Sequence, residues 1–114
     1  MGQNTQLVKG VMEFGILQFI SLAPTYGYEI LARMKEVGFH TLTESTLYPL
    51  LFRLEQRGDV TVERRSSPNG PSRKYYTITG QGHQALADFH QNWQQLCLSV
   101  NLLFAKGDQD EPVP

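Results

Sequence analysis

The middle of the chain places apolar residues at the spacing of an α-helix. Four leucines fall at positions i, i+3, i+4 and i+7 and form one stripe; they are Leu47, Leu50, Leu51 and Leu54. Gly58 suits the position after a helix C-terminus, and Thr43 or Ser45 can cap the N-terminus. Pro49 lacks the N–H that would bond back to Ser45, so the helix is expected to bend or to begin late. The pattern predicts a helix across residues 43–57.

After Gly58 the pattern changes to that of two β-strands. Val60 and Val62 alternate with polar residues at the period of a strand. Residues 75–78 have the aromatic and β-branched composition of a partner strand. Residues 66–72 between them are turn-forming residue types throughout. The sequence therefore predicts a two-stranded hairpin with a long turn.

The N-terminal part of the chain predicts a polar tail at residues 1–6 and two helices. Residues 7–22 are apolar on almost every side of a helix, so this helix must be covered on several sides. We expect a second subunit to cover part of it. Pro24 ends this helix. A second helix is expected to begin at residue 26 or 27 and to end before Gly38.

The last third of the chain predicts one long helix with a regular apolar seam. Thr79 is a plausible N-cap, and the helix is expected to reach residue 105, with an acidic flexible tail at residues 106–114. Six apolar residues follow one another in steps of 3 and 4; they are Leu86, Phe89, Trp93, Leu96, Val100 and Leu103. Such a seam needs a partner helix. That partner is the chain's own first helix, a helix of a second copy, or both.

These elements together predict a mainly α fold: a winged helix-turn-helix with a two-stranded β wing and a long C-terminal dimerisation helix. Residues 7–78 would form a DNA-binding domain, and residues 79–105 would form the dimerisation helix. The third helix would enter the major groove, while the wing cations would contact backbone phosphates. The expected DNA contacts are Ser45, Thr46, Tyr48, Pro49 and Arg53 on the helix, and Arg65, Asn69, Gly70, Arg73 and Lys74 on the wing.

Two other interpretations fit parts of this pattern. A basic hairpin taken alone is also typical of an ordinary hairpin with a solvated charged rim. A winged helix can also serve as a protein adaptor without binding DNA, because a fold does not fix a function. An adaptor would place apolar residues on the outward face of the third helix, where Phe52 alone favours that interpretation. The short and hydrogen-bonding side chains around Phe52 favour DNA.

Length and charge narrow the class of protein. A chain of 114 residues with 40% hydrophobic content forms one domain with a modest core. The net charge is 0 over residues 1–43, +2 over residues 44–77 and −3 over residues 78–114, so the positive excess lies on the predicted reading unit. The sequence has no signal-peptide pattern, no apolar run approaching ~18 residues and a single cysteine, Cys97. A cytoplasmic protein without a membrane span is expected.

Few residues could support catalysis or bind a metal. His83 and His90 lie roughly on one helix face, but no third ligand accompanies them at metal spacing. Cys97 lies in an apolar stretch without a basic partner, which is typical of an inert small hydrophobic residue. Neither a glycine-rich phosphate loop nor a Ser/His/Asp arrangement is apparent. We therefore expect no enzyme, no metal site and no cofactor.

Three sequence blocks occur in order between about Leu7 and Gly82. They are Tyr26-Gly27-Tyr28-Glu29-Ile30; Thr46-Leu47-Tyr48-Pro49-Leu50-Leu51 with Arg53-Leu54-Glu55 and Gly58; and Arg73-Lys74-Tyr75-Tyr76 with Thr79 and Gly82. They resemble the signature blocks of the PadR family of bacterial transcriptional regulators, and the single C-terminal helix resembles its short subfamily. The resemblance implies a homodimeric repressor that binds an operator with inverted-repeat character and is released by a small ligand. Known inducers in this family include phenolic acids and planar drugs.

The same resemblance implies a ligand slot beside Trp93. In the short subfamily, a tryptophan on the C-terminal helix faces its copy across the dimer axis and lines a flat apolar slot for a planar aromatic inducer. The residues that would line it here are Val8, Val11, Met12, Gly15, Phe89 and Trp93. Phe89 is large enough to fill the slot, and Cys97 brings no negative charge for a cationic drug. The alternative is that Trp93 is a dimer-core residue without a ligand.

Overall fold

The computed structural model describes residues 5–109 as four helices around a small antiparallel sheet. The elements in chain order are α1 (Thr5–Leu22), β1 (Thr25–Tyr26), α2 (Gly27–Glu36), α3 (Glu44–Arg57), β2 (Val60–Ser67), β3 (Gly70–Ile78) and α4 (Gly80–Gln109). The sheet order is β1-β3-β2. This architecture is the predicted winged helix-turn-helix with a long C-terminal helix. None of the helices within residues 5–109 is long and apolar enough to cross a bilayer.

The hydrophobic core lies where α1, α2 and α3 meet the sheet. Its largest fully buried side chains are Ile16, Leu17, Ile20, Ile30, Met34, Leu42, Leu47, Leu51 and Leu54. The leucine stripe of α3 therefore faces the core, as its spacing predicts. From Val11 to Ile20, every residue of α1 except Gln18 is buried or half-buried. The chain itself thus covers most of the helix that was expected to need a second subunit.

The sheet differs from the predicted hairpin in two ways. β1 adds a third strand, because Thr25 and Tyr26 pair with the opposite edge of β3. The prediction of a turn across residues 66–72 is wrong, since β2 continues to Ser67 and β3 begins at Gly70. An antiparallel ladder is held by backbone hydrogen bonds, so polar residues that favour turns do not prevent pairing. The wing is therefore longer and has a tighter turn than predicted.

Helix α3 begins at Glu44, so Pro49 does not delay its start. Thr43 occupies the N-cap position with extended backbone, but its hydroxyl bonds the Ser45 hydroxyl at 2.9 Å and does not cap the helix backbone. At the other end, Gly58 is left-handed with φ of 83°, as its residue type predicts. The same turn is closed by the N–H of Asp59, which donates to the carbonyl of Leu54 at 3.0 Å.

Helix α4 starts at a cap that the sequence predicts and ends later than expected. The N–H of Gly82 donates to the Thr79 hydroxyl at 3.0 Å, so Thr79 is the N-cap. A side chain at Gly82 would collide with the carbonyl oxygen of Asp59. The glycine therefore allows the start of α4 to lie close to the end of α3. The predicted end at residue 105 is wrong, because one glycine at Gly107 costs a helix only about 1 kcal/mol. Helix α1 begins at Thr5, so the predicted tail at residues 1–6 is wrong for residues 5 and 6, which are residue types that a helix tolerates. Residues 1–4 and 110–114 of the predicted tails lie outside the described residues.

Candidate nucleic-acid interface

The N-terminal half of α3 presents the predicted reading residues to solvent. Ser45, Thr46 and Pro49 are exposed, and Tyr48 is 45% exposed. The hydroxyls of Ser45 and Thr46 lie 2.9 and 3.5 Å from the hydroxyl of Thr43. This end of the helix therefore offers hydroxyl groups and one oriented aromatic ring, which are groups that bond base edges or phosphates.

Tyr48 is oriented by the start of α2. Its ring lies directly against Gly27, a position without a side chain. The ring also lies beside Tyr76 of β3, whose pKa is raised above the ordinary value of 10.0 chiefly by burial, with contributions from Tyr48 and Glu55. Burial thus favours the neutral phenol of Tyr76 at the base of this surface.

Strand alternation divides the wing cations between the two faces of the sheet. Arg64 lies opposite Lys74 in the register, and Arg65 lies opposite Arg73. Arg64 has the same parity as the buried Val60, so Arg64 and Lys74 continue the core face of the sheet. Arg65 and Arg73 have the opposite parity, although Arg73 also lines the cleft beside Tyr48.

Arg64 and Lys74 share a cleft with the reading helix. The cleft has a volume of about 390 Å³, and it is lined by Tyr26, Gly27, Tyr28, Tyr48, Arg64, Ser72, Arg73, Lys74 and Tyr76. Arg64 also donates to the Ser72 hydroxyl at 3.5 Å. The sequence predicts phosphate contacts for the wing cations as a group, Arg64 included, but does not single out Arg64 as a DNA contact. Its parity with Val60 and Val62 was the signal that could have placed it on the side of α3.

Arginine and tyrosine side chains alternate on the other face of the wing. The Arg65 guanidinium lies 4.5 Å from the centre of the Tyr75 ring, and that of Arg73 lies 4.6 Å from the centre of the Tyr26 ring. The two rings are 5.4 Å apart. Arg65 also pairs with Glu63 at 2.8 Å. These contacts restrain both arginines while leaving them exposed, which reduces the entropy cost of a phosphate contact.

Both cross-strand pairs join like charges. Cations directly opposite each other on adjacent strands repel and weaken the hairpin. Tyrosine stacking and Glu63 offset this repulsion on one face only, because Arg64 and Lys74 have no such contacts among the described residues. Asn69 and Gly70 are exposed where the two strands meet. Binding of an anion to the wing would therefore reduce the repulsion between these cations.

Arg53 is positioned by an ion pair with a buried acidic residue. Its Nη1 lies 3.4 Å from Oε2 of Glu13, a buried residue of α1. Arg57 forms an ion pair with the other oxygen of Glu13 and donates from Nε to Asp59 at 3.2 Å. Gln81 of α4 donates to the other Asp59 oxygen at 3.2 Å. Sequence spacing could not find this network, because it joins residues far apart in the chain. About half of the Arg53 side chain stays exposed, and four of its five N–H donors are not used by Glu13.

The seam of α4 is covered at its start and bare at its end. Leu86, Phe89 and Trp93 are half-buried, whereas Leu96, Val100 and Leu103 are exposed. The Phe89 ring stacks on Phe14 of α1, with 4.2 Å between ring centres, so α4 packs on the chain's own first helix there. Beyond that contact, Leu98, Leu102 and Phe104 are also exposed. The far end of α4 thus exposes apolar residues on more than one side.

A mostly apolar cavity of about 460 Å³ lies between α1 and α4. Its lining is Val11, Phe14, Gly15, Gln18, Phe39, His83, Leu86, Ala87, Phe89 and His90. Three predicted ligand residues, Val11, Gly15 and Phe89, lie in this lining. Val8 and Met12 belong to the core packing, and Trp93 lies beyond the cavity, 6.4 Å from Phe89 between ring centres. The structure therefore brings together half of the predicted slot within one chain.

Metal ligands are not clustered in the described part of the chain. Within residues 5–109, no group of three or more His, Cys, Asp or Glu side chains could hold a metal ion. His83 and His90 instead lie at the wall of the apolar cavity.

Comparison with known proteins identifies a single family. A family model described as the transcriptional regulator PadR-like family matches residues 16–88. A PadR-like transcriptional regulator from Bacillus cereus is 38% identical, covers 93% of this chain and 99% of its own, and superposes with a TM-score of 0.80. A Streptococcus transcriptional regulator is also 38% identical, covers 88% of this chain and 98% of its own, and has a TM-score of 0.79. A PadR-like transcription factor from Bacteroides fragilis is 35% identical, with coverages of 87% and 95% and a TM-score of 0.75.

Proposed function

Because the chain belongs to the PadR-like family of DNA-binding, non-enzymatic transcriptional regulators, we propose that it is a homodimeric repressor released by a small aromatic ligand. Its operator would have inverted-repeat character, since a two-fold dimer presents two identical reading heads. In this proposal α3 enters the major groove and the wing contacts the adjacent phosphates. The two reading helices lie about one DNA turn apart, roughly 34 Å.

One observation carries the DNA-binding part of the proposal. The cross-strand cations Arg64 and Lys74 share a cleft with the exposed Tyr48 of α3. A phosphate at the mouth of this cleft would relieve the repulsion between the two cations and would place Tyr48 beside the groove edge. Ser45, Thr46 and Pro49 then approach the bases, and the free donors of Arg53 reach a phosphate or a guanine.

The opposite face of the wing supplies further sequence-independent charge. Arg65 and Arg73 are held by tyrosine rings, and Asn69 in the turn and Gly70 at the start of β3 extend beyond them. Backbone N–H groups and cations of this kind fix register on the duplex without reading bases. We assign all of them to backbone positioning, in contrast to the residues of α3.

The bare end of α4 supports the homodimer. Leu96, Val100 and Leu103 continue the seam that begins at Leu86, and all three are exposed in a single chain. At about 100° per residue, Leu98 and Leu102 lie on the other side of the same helix. If the α4 helices of two copies pack against each other, each helix covers the seam of the other. Another helix of the second copy then covers the opposite side of α4. Burial of this apolar area would favour association, and part of the gain would be offset by the freedom that the two chains lose on binding.

The ligand part of the proposal rests on the cavity between α1 and α4. Val11, Gly15 and Phe89 line it, and Trp93 lies next to Phe89 on the side where α4 would meet its copy. A planar aromatic molecule that displaces Phe89 from Phe14 would stack there and gain apolar burial. Val8 and Met12 would adjust behind it. A change in the packing of α4 on α1 would alter the separation of the reading heads, to the extent that the ligand prefers the altered dimer.

Retention of genomic fragments tests the proposed function. The purified protein is mixed with fragmented genomic DNA and excess random competitor, and the retained fragments are sequenced. We expect a small set of fragments that share an inverted repeat lying upstream of coding regions. Retention no better than that of random DNA would contradict sequence-specific regulation by this protein.

A further inference from the structure

Phe52 is a large apolar residue at the centre of the exposed face of α3. It is 62% exposed, whereas the four leucines of the same helix are buried. At about 100° per residue, Phe52 aligns with Ser45, Pro49 and Gln56, opposite the leucine stripe. It lies one helical turn after Tyr48, about 6 Å further along the axis. None of the ring contacts within residues 5–109 involves Phe52.

Phe52 itself has no group that binds phosphate. Glu55 and Gln56 follow it on the exposed side of the helix, and the adjacent Arg53 is turned toward Glu13. A phenyl ring carries neither charge nor a hydrogen-bond donor, and the nearby Glu55 carboxylate repels phosphate. Phe52 lies on the same line of the helix as Ser45 and Pro49, so in the proposed complex it faces the base edges of the major groove.

We infer that Phe52 reads thymine by contacting its C5-methyl group, an inference that rests on the proposed DNA binding. In the major groove, base edges present hydrogen-bond donors and acceptors, and thymine alone adds a methyl group. A phenyl ring cannot satisfy the polar edges of the other bases, but it buries the methyl group and gains apolar contact. Phe52 therefore determines specificity for thymine at one position of each half-site, next to the bases read by Tyr48.

The test removes only the methyl group. Each thymine of the operator found by fragment retention is replaced in turn by deoxyuridine, which pairs like thymine but lacks the C5-methyl. Affinities are measured by fluorescence anisotropy for the wild-type protein and for Phe52→Ala and Phe52→Leu. Val37→Ala is the matched control, because Val37 is also 62% exposed but belongs to the end of α2.

At one thymine in each half-site, we expect uracil to weaken wild-type binding about threefold to tenfold, as the loss of one buried methyl group would. Phe52→Ala should bind thymine and uracil there equally well. Phe52→Leu should keep part of the preference, and Val37→Ala should keep all of it.

Two results would overturn the inference, and they differ from each other. If no thymine position distinguishes the wild type from Phe52→Ala while Tyr48→Ala still loses operator binding, Phe52 does not read thymine and the proposed function stands. If the wild-type protein selects no DNA over random competitor, the proposed function fails and the reading of thymine by Phe52 fails with it.

Discussion

The ring of Tyr48 occupies the space that a side chain at Gly27 would need. A Cβ atom at Gly27 would lie 2.6 Å from the Tyr48 hydroxyl oxygen and 2.9 Å from two of its ring carbons. The glycine at the start of α2 therefore sets the position of the aromatic residue on α3. Two of the sequence blocks that resemble the family signature thus meet at one contact.

Gly27→Ala should displace Tyr48 and weaken operator binding by about tenfold, the cost of one misplaced base interaction. The fold should persist, because alanine favours a helix by about 1 kcal/mol over glycine and the tyrosine can rotate outward. Gly10→Ala is the control, since nothing lies within 4 Å of a Cβ there. Anisotropy titration with labelled operator measures both. Wild-type affinity in Gly27→Ala would mean that the position of Tyr48 is irrelevant to binding.

Removal of the wing cations should weaken binding to every DNA sequence alike. We expect Arg64→Ala with Lys74→Ala, and separately Arg65→Ala with Arg73→Ala, to flatten the plot of log affinity against log salt. The slope should fall by about 0.9 for each phosphate that the protein no longer neutralises. Arg33→Ala is the control, because Arg33 pairs with Glu29 on α2 and not on the wing. A pair of substitutions that leaves the slope unchanged would remove that face of the wing from the interface.

A charge on the bare end of α4 should separate the dimer. Leu103 is 70% exposed in the single chain, so Leu103→Glu should not affect folding of the monomer. Burying the new carboxylate at a dimer seam would cost several kcal/mol. By analytical ultracentrifugation at micromolar concentration, the wild type should be a dimer and Leu103→Glu a monomer. Leu22→Glu, at a residue 61% exposed on α1, should stay dimeric. A monomeric wild type would refute the dimer and its two-fold operator.

Trp93 should report ligand binding, because it is the single tryptophan of the chain. Planar aromatic compounds should quench its fluorescence, and Phe89→Ala should strengthen the effect by opening the space between Phe14 and Trp93. Val37→Ala, at an exposed residue at the end of α2, is the control. If no compound in the panel quenched either protein, Trp93 would be a dimer-core residue and any inducer would bind elsewhere.

Local periodicity was sufficient to predict the parts of the fold that bury apolar residues. The leucine stripe of α3, the left-handed Gly58 and the Thr79 cap depend on neighbours within a few residues, and each is present. β1 could not be predicted, because a strand of two residues has no detectable alternation and forms only against β3. The extended wing was missed for a related reason, since backbone pairing overrides the turn preference of its polar residues.

The site was predictable in outline but not in its contacts. Residue types and their helical face identified Ser45, Thr46 and Tyr48 as exposed. The ion pair of Arg53 with Glu13 joins positions forty residues apart, and the contact of Tyr48 with Gly27 joins two helices. Such contacts depend on how elements pack and leave no trace in local spacing. Strand alternation already assigned the wing cations to two faces of the hairpin. The register was needed to show which cations face each other.

The most direct test of DNA reading by the exposed N-terminal half of α3 is the affinity of Tyr48→Ala for operator DNA relative to random DNA. In gel-shift titrations at one salt concentration, the wild type should bind its operator at least about a thousandfold more tightly than random DNA. Tyr48→Ala should lose about tenfold or more of that ratio, while its affinity for random DNA stays close to that of the wild type. An unchanged ratio in Tyr48→Ala would contradict the assignment of α3 as the reading helix.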